Sequence, residues 1–276
     1  MAMGGLSGVG MTAFGYIRWW EPGWIEVRRV KVPLSEGSVE QPIRILHATD
    51  LHASRVVSLK MIENGLRVGM AEKPDVVCLT GDFVTKKFAD TAKYTAMLRS
   101  VIGNVPTFAC LGNHDGGAWA ARRRNGGYAT HKTVRAMLKD AGIQVLWNES
   151  ATIQVHNRQI RLVGFGDLWT GELDAPRAFG KPVAGVKLPT VVLSHNPDSK
   201  ERLGGYPWDL ALCGHTHGGQ IGIFGLDRVF APVRDKQYLS GLKRWRDRWI
   251  HVSRGIGNLH GLRFACRPDV SLLDIG

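Results

Sequence analysis

A fold of the α/β class is predicted by three observations on this 276-residue chain. Short apolar runs recur along it, segments with apolar residues at helical spacing lie between them, and each run ends in a turn crowded with Asp, His, Asn and Gly. Runs this short and this apolar read as strands buried on both faces. Alternation with helices makes them one α/β sheet, whose ligand site lies outside the carboxyl ends of the strands.

In chain order, Met1 to Ile17 carries no charged side chain but includes five glycines. It falls short of the roughly 20 apolar residues that a spanning helix needs. With no basic region before it and no small-residue cleavage site after it, it does not read as a secretory signal either. Arg18, Trp19, Trp20 and Trp24 follow, a mixture suited to the membrane–water interface; the bland alternative is a frayed terminus. Residues 1–42, closing in a connector from Pro33 to Pro42, are therefore set apart as an N-terminal membrane-associating segment. Residues 43–276 form the main domain.

Ile43–Ala48, Val76–Leu79, Thr107–Leu111, Val191–Leu193 and Leu210–Cys213 are the predicted strands. Three helices are marked by Leu59, Ile62 and Leu66, by Tyr94, Leu98 and Val101, and by Val134, Met137 and Leu138, the last stopped at Gly142. Ile153–Val155 and Ile160–Val163 flank His156–Gln159 as a hairpin, the sign of a second sheet.

Lys and Arg number 36 against 24 Asp and Glu, a formal +12. That excess favours an anionic partner: nucleic acid, a phosphorylated substrate or an acidic membrane surface. The four cysteines form no CxxC pair, and Cys78, Cys110 and Cys213 each sit in an apolar run before a motif. They read as buried free thiols, which points to a reducing compartment.

Five polar clusters follow the strands: Asp50-Leu-His52, Gly81-Asp82, Gly112-Asn-His-Asp115, Ser194-His-Asn-Pro197 and Gly214-His-Thr-His217. Alone, an aspartate after a strand is usually a cap and a histidine usually structural. Together they bring histidines, carboxylates and an amide to one sheet edge. Imidazole mixed with oxygen donors suits Mn²⁺, Fe²⁺, Zn²⁺ or Co²⁺ rather than Mg²⁺ or Ca²⁺. A structural zinc site would be closed by tightly spaced Cys and His, so the arrangement reads as catalytic. Two ions roughly 3.5–4 Å apart can polarise phosphoryl oxygens and align an acidified water for in-line attack.

The ordered series D-x-H, GD, GNHD, H and GHTH resembles that of the calcineurin-like metallophosphoesterase superfamily. Val145-Leu-Trp-Asn-Glu149, Gly214–Ile221 and Ser253-Arg-Gly-Ile-Gly-Asn258 are similar to phrases of its bacterial branch of membrane-associated phosphodiesterases and UDP-2,3-diacylglucosamine pyrophosphohydrolases. The resemblance implies a four-layer αββα sandwich, two mixed β-sheets flanked by helices, with a pair of divalent ions at the carboxyl edge, Mn²⁺ first among them. By motif, Asp50, His52 and His217 would hold the first ion, Asn113, His195 and His215 the second, and Asp82 would bridge them. His114 would contact the phosphoryl group or protonate the leaving oxygen, with Asp115 holding its ring. One departure is visible: many relatives continue the second motif as GDxxD or GDxxN, whereas Phe83-Val-Thr85 follows Asp82 here, so support near position 85 is expected to differ.

Two further regions bear on the substrate. Trp119 and Arg122, Arg123 and Arg124 lie between glycine pairs just after the GNHD motif, as a flap whose arginines reach a second phosphate, or as a solvated charged loop. Lys243–Trp249 interleaves cations with tryptophans, which fits a membrane surface, a nucleic-acid strand, or a strand pair with its rings in the core.

The leading expectation is a binuclear phosphohydrolase acting on a phosphorylated small molecule or an amphipathic, lipid-linked substrate such as UDP-2,3-diacylglucosamine. It would work in the cytoplasm, peripheral to or anchored at an anionic inner-membrane surface, with the extracytoplasmic side left open. A soluble phosphodiesterase for nucleotides or nucleic acid is the second reading. The third, a non-catalytic envelope-binding protein with a structural metal site, has no evident use for His114.

Overall fold

All five predicted runs are strands in the computed structural model, which describes residues 14–34, 41–180, 188–222 and 226–276. The strands are β1 (Glu26–Val32), β2 (Ile43–Ala48), β3 (Val76–Thr80), β4 (Thr107–Cys110), β5 (Gln144–Val145), β6 (Glu149–Val155), β7 (Arg158–Gly164), β8 (Thr190–Leu193), β9 (Leu210–Cys213), β10 (Gly241–Trp245), β11 (Arg248–Val252) and β12 (Asp269–Ile275). They make two six-stranded sheets, ordered β1-β12-β2-β3-β4-β5 and β10-β11-β9-β8-β7-β6. Both are mixed. The centre of the first, β2-β3-β4, and of the second, β7-β8-β9, is parallel, while β12 runs antiparallel to β2, β6 to β7 and β10 to β11.

Side-chain alternation along the central strands explains the layering. Ile45, Val76, Cys78 and Phe108 point into the space between the sheets, where they meet Leu162, Val191, Leu193 and Leu210. Their neighbours Leu46, Val77, Leu79 and Ala109 point the other way, onto helices α1 (Leu59–Met70), α2 (Thr91–Ile102) and α3 (Lys132–Asp140). The first two helices start where the sequence supplies caps: Ser58 accepts from Met61 N and Asp90 from Lys93 N. Gly142, at φ 86°, follows α3 as the expected stop. On the far face of the second sheet, Val163, Val192 and Ala211 are covered by Phe179 and Leu203 from short helical turns and by Trp208 from the loop before β9. Each fully buried aliphatic side chain contributes roughly 1.5–3 kcal/mol of transfer free energy, which holds the strand ends in fixed relation.

Three differences from the sequence reading concern the edges. The segment assigned to residues 1–42 is not connector throughout, because β1 pairs along its length with the C-terminal β12; its alternation of charged and β-branched residues marks a half-exposed edge strand. Residues 1–13 of the apolar segment and 35–40 of the connector lie outside the described residues. The π-helical turn Tyr16–Trp20 and the 3-10 turn Glu21–Gly23 are held to the body by Glu21, whose buried carboxylate accepts from Ala265 N at 3.0 Å and Cys266 N at 2.6 Å. Lastly, Lys243–Trp249 is the β10–β11 hairpin. Trp245 is buried and stacks on Trp208 with centroids 5.7 Å apart, while Arg246 and Arg248 lie over these rings. Trp245 fits the core reading of that stretch, whereas Trp249 is only half-buried, with Arg244 over its ring at 4.5 Å.

Candidate metal centre

Every cluster singled out in the sequence stands at the carboxyl end of a parallel strand: Asp50 and His52 after β2, Asp82 after β3, Asn113 to Asp115 after β4, His195 after β8, His215 and His217 after β9. Five of these residues turn sharply off their strands in the left-handed region, Asp50 at φ 51°, His52 at 50°, Asp82 at 55°, His215 at 69° and His217 at 51°. Such backbone costs on the order of 1–3 kcal/mol per non-glycine residue and persists only where surroundings enforce it. Here the loops enforce one another. Asp50 N donates to Gly81 O at 3.0 Å, and His52 N to Asp82 O at 2.9 Å. Gly257 N donates to Asp50 O at 2.7 Å, and Gly255, at φ 76°, lies so close that an added Cβ would come within 2.6 Å of Asp50 Cβ. The Ser253–Asn258 phrase is thus the backbone wall behind Asp50. Arg263, fully buried, braces that wall by donating to the carbonyls of Arg254, Gly255 and Gly257.

The side chains then converge. Asp50, His52 and His217 form one buried group with ligand atoms within 4.8 Å of one another, and Asp82, His195 and His215 form a second. The Asp82 carboxylate lies between them: its Oδ2 is 3.4 Å from His52 Nε2 and 3.1 Å from His195 Nε2. On one side His217 Nε2 is 3.3 Å from Asp50 Oδ1, and on the other His215 Nδ1 is 3.2 Å from His195 Nε2.

Ring orientation is fixed from outside. His195 Nδ1 donates to Thr80 O at 2.7 Å, His215 Nε2 to Pro232 O at 3.2 Å, and His52 Nδ1 to Thr85 Oγ1 at 3.1 Å. Each outer hydrogen bond fixes the tautomer and leaves the inner nitrogen with a lone pair, as metal-ligating imidazoles require. Asn113 is buried, yet neither its Oδ1 nor its Nδ2 has a hydrogen-bond partner among the described residues, and the same holds for Asp50 Oδ1. Buried polar atoms are rarely left unpaired. Orphaned oxygens beside imidazole lone pairs fit two divalent cations.

The charges point the same way. Burial alone would raise Asp50 and Asp82, but the facing histidines outweigh it and hold both carboxyls below their usual range. Burial pulls His215 and His217 down to about 3, which keeps both rings neutral. His195, which burial would lower, is raised well above its ordinary value by Asp82 and Asp50. A cation bound between these groups takes over the role of that proton.

Asp115 does not hold the His114 ring. Its buried carboxylate accepts from Asp82 N at 2.9 Å, Gly112 N at 2.8 Å and Phe83 N at 2.7 Å, tying the loop after β3 to the loop after β4. Thr85 takes the expected role instead: its carbonyl accepts from His114 Nδ1 at 2.8 Å while its hydroxyl holds His52. Thr85 thus supplies the support that the departure from GDxxD put in question. Arg122, Arg123 and Arg124 are exposed on the turn after a short helix, Gly117–Ala120.

Several residues at the site carried no sequence signal. Trp169 stands edge-on to His215 with centroids 4.3 Å apart and 5.9 Å from Trp119, which in turn lies 4.8 Å from His114, so two indoles wall one side of the centre. Trp169 is placed by Asn148, whose side chain bonds Gly166 N, Glu172 O and Asp174 N. A second clasp, His131 Nε2 to Glu172 Oε2 at 2.6 Å, joins that loop to the start of α3.

Residues 43–219 match the family model of the calcineurin-like phosphoesterases, and the chain belongs to that family. It is a metal-dependent phosphoester hydrolase of a class that works with a pair of divalent ions. The chain is 41% identical over 265 residues to phosphodiesterase YaeI of Escherichia coli, covering 96% of this chain and 93% of that one. It is 26% identical over 300 residues to UDP-2,3-diacylglucosamine pyrophosphatase LpxG of Chlamydia trachomatis, with 92% and 90% covered. Among solved structures, the sulfate thiohydrolase SoxB of Thermus thermophilus shares the fold, with a TM-score of 0.50 and 14% identity over 87% of this chain and 58% of that one.

The His131–Glu172 clasp gives a pH-dependent expectation. Burial disfavours the imidazolium, but Glu172 outweighs it and raises His131, while Glu172, which burial would raise, is held low by His131. The ion pair is therefore complete above the lowered Glu172 value and below the ordinary histidine value of about 6.5, and is lost as pH rises through the raised His131 value. Because Glu172 is partly exposed, Glu172→Gln should cost no more than about 1 kcal/mol near pH 6. The gap to wild type in urea unfolding should shrink as pH rises. A gap independent of pH would show that the pair is not ionic.

Proposed function

We propose that this chain hydrolyses a phosphodiester or pyrophosphate bond of an amphipathic substrate at a binuclear metal centre, next to an anionic membrane surface. The convergence of two donor groups on the Asp82 carboxylate carries the reading. Asp50, His52 and His217 would hold one ion, Asn113, His195 and His215 the other, with Asp82 placed to serve both; nitrogen mixed with oxygen would favour Mn²⁺, with Fe²⁺, Zn²⁺ or Co²⁺ as alternatives. Bound there, the ions supply Lewis acidity toward the phosphoryl oxygens and an acidified water.

The remaining work falls to the protein. His114, with its Nδ1–H committed to the Thr85 carbonyl, presents Nε2 to the substrate; burial lowers its pKa while Asp82 opposes the shift, so Nε2 would take up a proton as the substrate's negative charge arrives and pass it to the leaving oxygen. Trp119 and Trp169 shield one side of the centre from water. Arg122, Arg123 and Arg124 reach for phosphate charge outside it, since guanidinium groups bind phosphate oxygens in pairs.

The membrane half of the proposal is supported by the N-terminal turns. Phe14, Trp19, Trp20 and Trp24 are exposed large apolar side chains, the two middle ones 68% and 67%, and Arg18 and Arg267 lie over their rings. Rings with cations suit an anionic interface, where charge supplies attraction and ring burial supplies retention. No helix among the described residues is long and apolar enough to cross a membrane; attachment through these turns themselves would be interfacial, on the cytoplasmic or the extracytoplasmic side. UDP-2,3-diacylglucosamine, named for the Chlamydia trachomatis relative, has the required combination of acyl chains and pyrophosphate.

Asp82→Ala should empty at least one metal site by elemental analysis and abolish turnover; full occupancy with normal activity would sink the assignment. His114→Ala should lose on the order of 10²–10⁴-fold in turnover with its metal content kept, in an assay with a poor leaving group. Loss of metal together with activity would make His114 structural. Replacing Trp19, Trp20 and Trp24 with Ser leaves Glu21 in place, so it should weaken binding to anionic vesicles without changing metal content. Unchanged vesicle binding would remove the anchor, and no binding by the unmodified chain at low salt would turn the reading to a soluble diester.

A further inference from the structure

The loops that carry the metal ligands do not end at the ligands. The chain beyond His52 and the chain beyond Asp82 run on side by side, joined by the parallel bridge Ala53–Val84 and by Ala53 N donating to Phe83 O at 3.0 Å. They then separate to form an open groove of about 660 Å³ that begins at Thr85, the residue that holds both His52 and His114. Three cations line it, Arg55 from the first loop and Lys86 and Lys87 from the second, and no carboxylate does. All three are exposed, and none makes an ion pair among the described residues. Lys87 N donates to Gly126 O at 3.2 Å, which sets the groove against the turn bearing Arg122, Arg123 and Arg124.

We infer that Arg55, Lys86 and Lys87 form a subsite for a second phosphoryl group of the substrate, next to the one held at the metal centre. The inference rests on the binuclear-centre reading above and deepens it by assigning the residues that hold the second phosphoryl group of a pyrophosphate diester. Three like charges gathered without a counter-ion repel one another, an arrangement that becomes favourable when an anion is shared between them. The position selects the anion. A phosphoryl group at the metal centre places the next one along the same chain beside Thr85, where the cations begin. Hydrolysis of the P–O–P bond then forms one new P–O bond from water and breaks the bridging one, so that each half departs as a phosphate monoester carrying one hydrogen of the water. The monoester left in the groove gains a negative charge as the bond breaks, and the cations stabilise that charge. The same groove continues along Val56, Phe88 and Leu259, and Val56 also lines a neighbouring groove with Arg18 and Trp19. The phosphoryl subsite therefore opens toward apolar residues, as an amphipathic ester requires.

The test uses the metal-loaded full chain with UDP and UMP as probes, their dissociation constants measured by calorimetry. The wild type should hold UDP more tightly than UMP by on the order of tenfold, the contribution of charge-assisted contacts to one more phosphate. Arg55→Ala, Lys86→Ala and Lys87→Ala should each erode that preference, and the triple variant should lose it. Lys139→Ala, a surface cation on α3 away from the groove, should keep it. Equal affinity for UDP and UMP in the wild type, or a preference kept by the triple variant, would overturn the inference. So would an equal loss in Lys139→Ala, which would mark a diffuse field. If the triple variant instead loses only binding to anionic vesicles, the cations meet the bilayer and not the substrate, and the inference also fails. Hydrolysis of bis(p-nitrophenyl) phosphate is followed separately: its absence in the wild type would count against the binuclear-centre reading, while calorimetry still decides the subsite.

Discussion

Two carboxylates, Asp50 and Asp82, have to stay ionised side by side in a fully buried pocket, and the rest of the site is arranged around that demand. Removing a charge from water costs several kcal/mol unless it is paired and hydrogen-bonded. Backbone amides meet part of it. Asp50 Oδ2 accepts from His215 N at 3.0 Å, and Asp82 Oδ1 from His114 N at 2.9 Å. Each carboxylate keeps an oxygen facing histidine nitrogens. The outer nitrogens of His52 and His195 are bonded to Thr85 and Thr80, so their inner nitrogens can turn lone pairs toward cations that would balance the remaining negative charge. The charge requirement and the metal requirement are one constraint.

That constraint accounts for the backbone. Ligands from different strands can meet at one point only if each chain turns abruptly as it leaves its sheet, and five of them do so in the left-handed region. The cost is offset by interlocked loops: Asp115 fastens the loop after β3 to the loop after β4, and Arg263 and Glu21 fasten the segment that backs Asp50 and His217. Polar residues that contact no metal are therefore as necessary to the geometry as the ligands. The sheets beneath, packed by apolar side chains on both faces, give these loops a rigid base.

The parts of this design legible in sequence are those with local signatures. Val76–Leu79 is a continuous apolar run, and Ile43–Ala48 is apolar except for Arg44 and His47, because both strands are buried on both faces, so they could be recognised alone. The ligands could be recognised because each stands directly after such a run. Glu26–Val32 escaped because an edge strand half open to solvent alternates with charges and needs the remote β12 to pair with. Asp115 was assigned to its sequence neighbour His114, whereas its carboxylate reaches amides some thirty residues earlier in the chain. Trp169 and the Glu172 clasp sit in a loop whose composition is ordinary; only contact across the fold gives them meaning.

The same long-range logic bears on the N-terminal turns. Their aromatic residues look detachable in sequence, yet Glu21 is buried and bonded to Ala265 and Cys266, and Cys266 Sγ contacts the carbonyl of His217 at 3.3 Å. The turn that carries Trp19 and Trp20 is thereby joined, through a few hydrogen bonds, to His217 of the candidate metal centre. Val56 makes the corresponding link on the substrate side, since it lies in the loop that begins with Asp50 and His52 and borders the grooves of both Lys86 and Trp19. One loop therefore carries the candidate metal ligands at its start, Arg55 of the basic groove in its middle and Val56, shared with the groove beside Trp19, at its end. The order of those features along the loop, from candidate metal ligand to cation to apolar side chain, is the order that the proposed amphipathic phosphoester would require, from the scissile phosphorus outward.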